Sequence, residues 1–300
     1  MGDFKFVKIP HPAYKQSDLE AWVINAPKRA KRPKFKLLKA KEYTCPFCPG
    51  NEKKEKEVYR IGGFDTDSKW LLRVIENKFP FAPVHEVVIH TPVHHKHLSQ
   101  FSLDEIRLVI EAYVNRFNVN RKNGVVCIFC NSGRDAGESI THAHSQIAVV
   151  PKEVEIIVPK LEEDLLYRGE NFPVRNFYLI CPPYSQWPDE VWIVPKERGR
   201  IFGEIRYEEI EEISFILKRL VRIFEIRHGY EFPYNYYIYP YHDWYLRIMP
   251  RAKILGGFEI ATGVFVDTQD PKETIKFIKE HFYEEDQTIT RNKAEYRKGV

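Results

Sequence analysis

The sequence lacks long apolar runs and contains very little methionine. No apolar run approaches the roughly 18 residues that a membrane-spanning helix needs, and residues 1–5 lack the apolar core of a signal peptide. These absences predict a cytoplasmic protein without a membrane partner. Only two methionines occur among 300 residues, whereas Lys, Glu and Arg are abundant, and this balance favours a heat-adapted source.

Cysteine is also scarce, and its count is odd. The five cysteines include the close pair Cys45 and Cys48, which argues against a disulfide framework and for a reducing compartment. Opposite charges largely cancel, leaving a formal net charge of +4. Because anionic small molecules and nucleic acids both suit this small excess, the charge balance excludes neither class of partner.

One order of predicted elements occurs twice along the chain. Each copy has a strand, a helix and two further strands: 86–89, 102–118, 125–129 and 142–150 in the first, and 189–195, 207–228, 236–239 and 244–249 in the second. Ser102 and Glu105 form a capping-box pattern at the first helix, and Gly229 ends the second helix. The repetition predicts an α+β fold of two similar halves, 1–155 and 156–300, each an antiparallel sheet with helices packed on it. The alternative is an α+β protein in which this order arose without duplication.

The most informative motif is the alternating run at 142–146. His142, His144 and Gln146 are two residues apart, so on a strand they face the same side. The preceding loop at 131–139 contains two glycines, which allow backbone amides to approach an anion closely. A neutral imidazole can attack phosphorus and divide one displacement into two steps, while an uncharged glutamine can donate to the phosphate oxygens. The motif therefore predicts phosphoryl-group transfer, with satisfied structural histidines as the alternative.

The pair Cys45 and Cys48 predicts a structural zinc site. Two thiolates this close need two further ligands for a tetrahedral ion, and the candidates lie in 91–97 and in the histidine strand. The rival pair Cys127 and Cys130 lies in a predicted strand, where residues three apart face opposite sides. We therefore predict a Cys2His2 site. Its expected ligands are Cys45, Cys48, His94 and His142, with His95 and His97 open as replacements for His94 and a knuckle without metal as the alternative.

Blocks spread over nearly the whole chain resemble one family. The stretch WVINAPKRAKRP at 22–33, the knuckle CPFCPGNE at 45–52 and the run HAHSQ at 142–146 resemble the galactose-1-phosphate uridylyltransferases of the histidine-triad superfamily. The resemblance implies that both halves are histidine-triad-like. It also implies that His144 is the nucleophile, that Gln146 contacts the phosphate, and that His94 and His142 complete the zinc site.

The resemblance further implies where substrates bind. The expected contacts are Arg29 and Arg32 for the diphosphate, Asn77 and Phe79 for the uridine, Asn131, Gly137 and Ser139 for the phosphates, and Lys253 and Glu259 for the hexose. The implied reaction is a ping-pong exchange of UMP between UDP-glucose and galactose 1-phosphate, which forms UDP-galactose. The implied assembly is a homodimer whose sites use residues of both subunits.

Three departures from the family pattern bear on these expectations. Ala143 replaces a proline between the two histidines, which leaves the facing of the strand unchanged. Glu190 matches a glutamate that holds a second metal in some members, but Tyr245 and Arg247 stand where histidines would be needed, so we do not expect that metal. The stretch at 256–263 is nearer to a branch that includes relatives acting on ADP-glucose. An ADP-glucose or dinucleotide phosphorylase or adenylyltransferase is therefore the alternative.

A more distant alternative is a zinc-containing module that binds nucleic acid. The knuckle and the basic run at 28–41 motivate it, since clustered Lys and Arg suit a phosphate backbone. This interpretation leaves the in-phase His142, His144 and Gln146 unexplained, so no nucleic-acid partner is expected.

Overall fold

The computed structural model describes residues 4–10, 20–32, 44–63, 69–161 and 170–284. The first two strands, β1 (Lys5–Pro10) and β2 (Glu20–Asn25), pair antiparallel as a separate two-stranded sheet. All other strands in these ranges join one ten-stranded sheet. Its first five strands are β3 (Glu57–Ile61), β4 (Leu72–Glu76), β5 (Val84–Ile89), β6 (Val125–Ser132) and β7 (His144–Val150).

The second five strands repeat the arrangement of the first five. They are β8 (Glu170–Val174), β9 (Phe177–Cys181), β10 (Val191–Pro195), β11 (Tyr234–Ile238) and β12 (Leu246–Pro250). The order across the sheet is β3-β4-β5-β7-β6-β11-β12-β10-β9-β8, and the neighbours are antiparallel. Outward from the β6–β11 pair, both halves have the same strand order. The predicted α+β fold with two similar halves is confirmed, whereas the domain boundary at 155 stays a prediction.

Four α-helices lie in the described ranges, and all but the short third one contribute to a core on one face of the sheet. They are α1 (Leu103–Asn120), α2 (Tyr207–His228), the short α3 (Gly257–Thr262) and α4 (Pro271–His281). Tyr113 of α1 and Leu220 of α2 share a buried cluster with alternate strand residues such as Val88 and Ile147. The intervening residues, including Val87, pack in separate clusters with the knuckle, so the two sheet faces have different neighbours. Within the described ranges, no helix has both the length and the apolar character needed to cross a membrane.

The predicted helix boundaries agree closely with the structure. Glu105 N–H donates to Ser102 Oγ over 3.1 Å, and Ser102 N–H donates to the Glu105 carboxylate over 2.7 Å, which forms the predicted capping box. Helix α2 ends at Gly229, whose φ of +91° suits a residue without a side chain.

The start of the histidine strand was predicted wrongly. We expected a strand from His142, but β7 begins at His144. The carbonyl of His142 accepts a hydrogen bond from the His144 ring over 2.8 Å, and the His142 ring bonds the carbonyl of Thr91 over 2.7 Å. Because these side-chain contacts fix the segment, His142 lies in a bend that precedes the strand.

Candidate active site and metal centre

The four predicted metal ligands converge on one point. Cys45 and Cys48 lie in a tight turn closed by a hydrogen bond from Cys48 N–H to the Cys45 carbonyl over 3.3 Å. His94 comes from the loop after β5, and His142 from the bend before β7. All four ligand atoms lie within 4.8 Å of one another.

The separations of these atoms fit a tetrahedral zinc ion. The distance is 3.2 Å from Cys48 Sγ to His94 Nδ1, 3.3 Å between the Nδ1 atoms of His94 and His142, and 3.7 Å from Cys45 Sγ to His142 Nδ1. Bonds of about 2.0–2.1 Å to nitrogen and about 2.3 Å to sulfur give tetrahedral edges of about 3.3–3.8 Å. Because His142 Nε2–H donates to the Thr91 carbonyl, its Nδ1 lone pair faces the thiols.

A cavity of about 550 Å³ lies beside this cluster. Phe47 of the knuckle separates the two, with ring centroids 6.1 Å from His142 and 5.4 Å from His144. The lining includes four cationic and two acidic side chains, Lys31, Arg32, Lys54, Lys78, Glu55 and Glu76, and the predicted site residues Asn77, Phe79, Ser139, His144 and Gln146. Such a lining suits an anionic ligand that also has an apolar or aromatic part.

The hydrogen bonds of His144 leave one ring nitrogen available as a nucleophile. Nδ1 donates to the His142 carbonyl over 2.8 Å, so in the neutral ring the lone pair lies on Nε2. Burial, with a smaller contribution from the nearby charge of Arg32, lowers the pKa of His144 to about 4, although that hydrogen bond acts in the opposite direction. The ring is therefore neutral at pH 7, as nucleophilic attack requires.

Gln146 lies on the same strand face as His144 and lines the same cavity. Its Oε1 accepts a hydrogen bond from His85 Nε2 over 3.0 Å and another from Asn77 Nδ2 over 3.3 Å. Asn77 Oδ1 in turn accepts from the backbone N–H of Phe79 over 2.9 Å. The predicted residues Asn77, Phe79 and Gln146 thus form one connected part of the cavity wall.

The two predicted arginines, Arg29 and Arg32, differ in their position relative to the cavity. Arg32 lines the cavity and donates to Ser139 Oγ over 2.7 Å, which joins the N-terminal segment to the glycine-containing loop. Arg29 lies outside the lining. It donates to the Phe79 carbonyl over 2.6 Å, and its guanidinium lies 4.8 Å from the centre of the Phe81 ring. Burial, together with the charge of Arg32, lowers the pKa of Arg29 to about 10, so it remains a cation at pH 7.

The rest of the predicted phosphate loop faces a smaller cleft of about 20 Å³. Asn131 and Glu138 line this cleft, and His144 borders both it and the large cavity. Asn131 Oδ1 accepts from Asn235 Nδ2 of β11 over 2.8 Å, and Gly137 has a φ of +86° beside the Asn131 amide. Ser139 is therefore the predicted loop residue that reaches the large cavity.

The two predicted hexose contacts lie away from the cavity of their own chain. Lys253 forms an ion pair with Glu259 and also donates to the Val266 carbonyl. The same segment exposes Ile254 and Ile260, which are 76% and 72% accessible. Neither Lys253 nor Glu259 is among the residues that line the cavity.

In the second half, an ion pair occupies the equivalent part of the sheet. Arg247 pairs with Trp192 and Tyr237 in the strand register, as Gln146 pairs with Val87 and Phe129 in the first half. Arg247 donates to the Glu190 carboxylate over 2.6 Å, and Trp192 Nε1–H donates to its other oxygen over 2.6 Å. The guanidinium thus neutralises the glutamate that we discussed as a ligand of a second metal.

Sequence reasoning missed His85, Thr91 and the aromatic side chains of Phe47 and Phe81. His85 lies two residues before Val87 on the same face of β5, so its alternation was a usable signal. The contacts of Phe81 and the Thr91 carbonyl depend on loop packing, which leaves no periodic pattern in the sequence.

Comparisons with known proteins agree with this fold. A family model described as the N-terminal domain of a domain of unknown function (DUF4931) matches residues 28–153. An ADP-glucose phosphorylase from Arabidopsis thaliana is 28% identical over 93% of this chain and 95% of its own length. A galactose-1-phosphate uridylyltransferase from Thermotoga maritima is 23% identical over 87% of this chain and 95% of its own.

A solved structure gives the same result. The crystal structure of an ADP-glucose phosphorylase from Arabidopsis thaliana with bound ADP-glucose superposes with a TM-score of 0.70 at 26% identity, covering 92% of this chain and 99% of that one. Together these findings support a place for the chain in the superfamily of galactose-1-phosphate uridylyltransferase-like proteins. The chain is an enzyme, of a kind represented by nucleotidyltransferases and phosphorylases.

Proposed function

We propose that this enzyme transfers a nucleoside monophosphate from a nucleotide sugar to a second acceptor by way of His144. Nε2 attacks the α-phosphorus, the bond from that phosphorus to the bridging oxygen breaks, and hexose 1-phosphate leaves with the bond electrons. The acceptor then attacks the same phosphorus and releases the imidazole. The observation that supports this proposal most directly is the neutral His144, protonated on Nδ1 and bordering a cavity whose lining has more cationic than acidic side chains.

The side chains around His144 suit the charge that develops during transfer. Arg32 supplies a fixed positive charge, and Ser139 and Gln146 supply polar hydrogens close to the same wall of the cavity. Groups held in place before the reaction stabilise the non-bridging oxygens without the cost of reorganising water. Phosphoryl transfer needs little beyond such positioning and charge stabilisation.

Two substrate pairs are candidates. The first is the exchange between UDP-glucose and galactose 1-phosphate, favoured by the cavity position of Asn77 and Phe79 and by the resemblance to uridylyltransferases. The second is phosphorolysis of ADP-glucose, favoured by the 28% identity to an ADP-glucose phosphorylase over 93% of the chain. Both use the same covalent step and differ in the base and in the acceptor.

Covalent labelling tests the shared step. The protein is incubated with UDP-glucose or ADP-glucose labelled at the α-phosphorus, and acid-labile label on the protein is measured. We expect one nucleotide to label the wild type and the matched control His242→Ala, which changes a histidine outside the cavity lining, but not His144→Ala. Equal labelling of His144→Ala, or no labelling of the wild type with any nucleotide sugar, would contradict the proposal.

The acceptor is identified by discharging the labelled protein. Labelled enzyme, freed of nucleotide, is mixed with galactose 1-phosphate or with inorganic phosphate, and the released product is identified. Release as UDP-galactose supports the uridylyltransferase. Release as ADP by inorganic phosphate supports the phosphorylase.

We also propose that Cys45, Cys48, His94 and His142 hold a structural zinc ion. Four protein ligands leave no open position for a substrate, so the ion would stabilise the fold around His144 and take no chemical part. We also propose that the enzyme is a homodimer. Lys253 and Glu259 lie outside the cavity lining of their own chain, and in a dimer they would contact the substrate in the partner's cavity.

A further inference from the structure

We propose that His85 is a positioning residue that sets which end of the Gln146 amide faces the reacting phosphate. This inference rests on the proposed nucleotidyl transfer. It assigns a function to a buried histidine that forms part of neither the metal cluster nor the cavity lining.

The tautomer of His85 follows from the contact at its Nδ1, since Nε2 lies near both Gln146 Oε1 and the Asn77 amide nitrogen, the latter 3.1 Å away. The backbone N–H of Phe81 donates to Nδ1 over 3.3 Å, so Nδ1 is the acceptor and Nε2 carries the proton. Nε2–H then donates to Gln146 Oε1 over 3.0 Å. Burial, with smaller contributions from the charges of Arg29 and Arg32, lowers the pKa of His85 to about 3, although the hydrogen bond to Gln146 acts in the opposite direction, so the ring stays neutral at pH 7.

Packing holds the His85 ring in this orientation. His85 is only 4% exposed, and its centroid lies 4.2 Å from that of Phe81. The guanidinium of Arg29 lies over the Phe81 ring and donates to the Phe79 carbonyl, so the support extends to the N-terminal segment. The donor on His85 is therefore fixed before any substrate binds.

The consequence for Gln146 is a defined amide orientation. Oε1 accepts from both His85 and Asn77, which leaves the N–H groups as the end that can donate into the cavity. A flipped amide would place its N–H groups against two donors and would present an acceptor oxygen to anionic phosphate oxygens. Both changes are unfavourable, since a buried donor would lose its partner and like charges would approach.

The test measures how fast label appears on His144 in a single turnover at saturating nucleotide sugar. The variants are His85→Phe, His85→Gln, Gln146→Ala and the double variant His85→Phe/Gln146→Ala. We expect His85→Phe to be slower by about 10-fold, less than the loss of a whole oxyanion donor, because Asn77 still holds the amide. Its affinity for the nucleotide sugar should change by less than about twofold, since the effect is confined to the transition state.

The other variants separate positioning from a general structural role. In His85→Gln the side-chain amide can donate from near the place of Nε2, and we expect most of the rate to return. The double variant should react at the rate of Gln146→Ala alone, because His85 acts only through Gln146. His85→Leu provides a second variant without a donor, in case the phenylalanine ring prevents folding, and it should slow labelling to the same degree.

Three results would overturn the inference. The first is labelling of His85→Phe and His85→Leu at the wild-type rate. The second is a double variant that is slower than Gln146→Ala by the same factor by which His85→Phe is slower than the wild type. The third is a His85→Gln variant as slow as His85→Phe. Absence of label on the wild type would overturn the proposed nucleotidyl transfer, and the inference about His85 with it. This outcome can be told apart from the other three because it is seen in the protein without any substitution.

Discussion

At the scale of single residues, His144 depends on the backbone two positions before it. The His142 carbonyl holds Nδ1–H, and Arg32 and the surrounding burial keep the ring neutral. The same His142 presents its own Nδ1 to the metal cluster. One short segment thus links the proposed metal site to the proposed nucleophile.

The lowered pKa of His144 predicts an acid-tolerant labelling reaction. Protonation would remove the Nε2 lone pair. Because the pKa is about 4, protonation occurs at a much lower pH than in an ordinary histidine, whose pKa is near 6.5. We expect the His144-dependent part of kcat/KM to stay constant from about pH 7 to pH 5 and to fall only as the pH approaches 4. A fall by half near pH 6.5, with circular dichroism showing a folded protein, would contradict this.

Gln146 gives a second prediction at this scale. Gln146→Ala removes the proposed donor to the phosphate oxygens and should slow single-turnover labelling by about 10²-fold, the usual effect of losing one such donor. The matched control is Asn118→Ala, whose amide donates to the Gly203 carbonyl on the surface. Equal rates in Gln146→Ala and the wild type would remove Gln146 from the transfer step.

At the scale of elements, the four predicted metal ligands and Phe47 bring together the knuckle, the loop after β5 and the start of β7, and His90 N–H also donates to the Ala143 carbonyl over 3.1 Å. Cys48→Ser removes a thiolate ligand, and we expect zinc content to fall from about one ion per chain to well below that. The free energy of unfolding should fall by at least about 2 kcal/mol. The control Cys127→Ser changes a half-buried thiol outside the cluster. Similar zinc content in both variants would refute the predicted site.

A turn within the predicted phosphate loop gives a second prediction about an element. Gly133 has a φ of +85°, and an added Cβ would lie 2.9 Å from the Pro233 Cβ and 3.0 Å from its Cα. Gly199 has a φ of +80° but no atom within 4 Å of such a Cβ. Both alanine variants are destabilised by the positive φ, but only Gly133→Ala also meets Pro233. In urea, the free energy of unfolding of Gly133→Ala should therefore be lower than that of Gly199→Ala by about 1 kcal/mol or more. Equal losses would show that Pro233 moves aside freely.

Local signals explain which elements could be predicted from the sequence. The capping box at Ser102 and the glycine after α2 are short-range patterns, and both helices were found where these patterns placed them. The start of β7 was missed because a side-chain hydrogen bond to the His142 carbonyl competes with strand pairing. The contacts between His85 and Gln146 join residues 61 positions apart, and no local pattern specifies such a pair.

At the scale of the whole molecule, the placement of Lys253 and Glu259 leads to a test of the proposed homodimer. His144→Ala lacks the nucleophile, and a Lys253→Ala/Glu259→Gln double variant lacks the proposed contacts to the partner's substrate. Each should be inactive alone. After subunit exchange, equal amounts should recover about a quarter of wild-type activity, because half of the dimers are mixed and each mixed dimer has one intact site. No recovery, despite exchange shown by mass spectrometry, would contradict shared sites.

The pairing of β6 with β11 has a consequence for any attempt to separate the halves. Phe129 and Tyr237 lie opposite each other there, at the point where the repeated strand orders meet. A polypeptide ending at residue 155, or one starting at residue 156, would display that strand without its neighbour, as an unprotected border with unpaired N–H and C=O groups. Such fragments should precipitate or pair with each other when co-expressed, so simple truncation should not yield two stable halves.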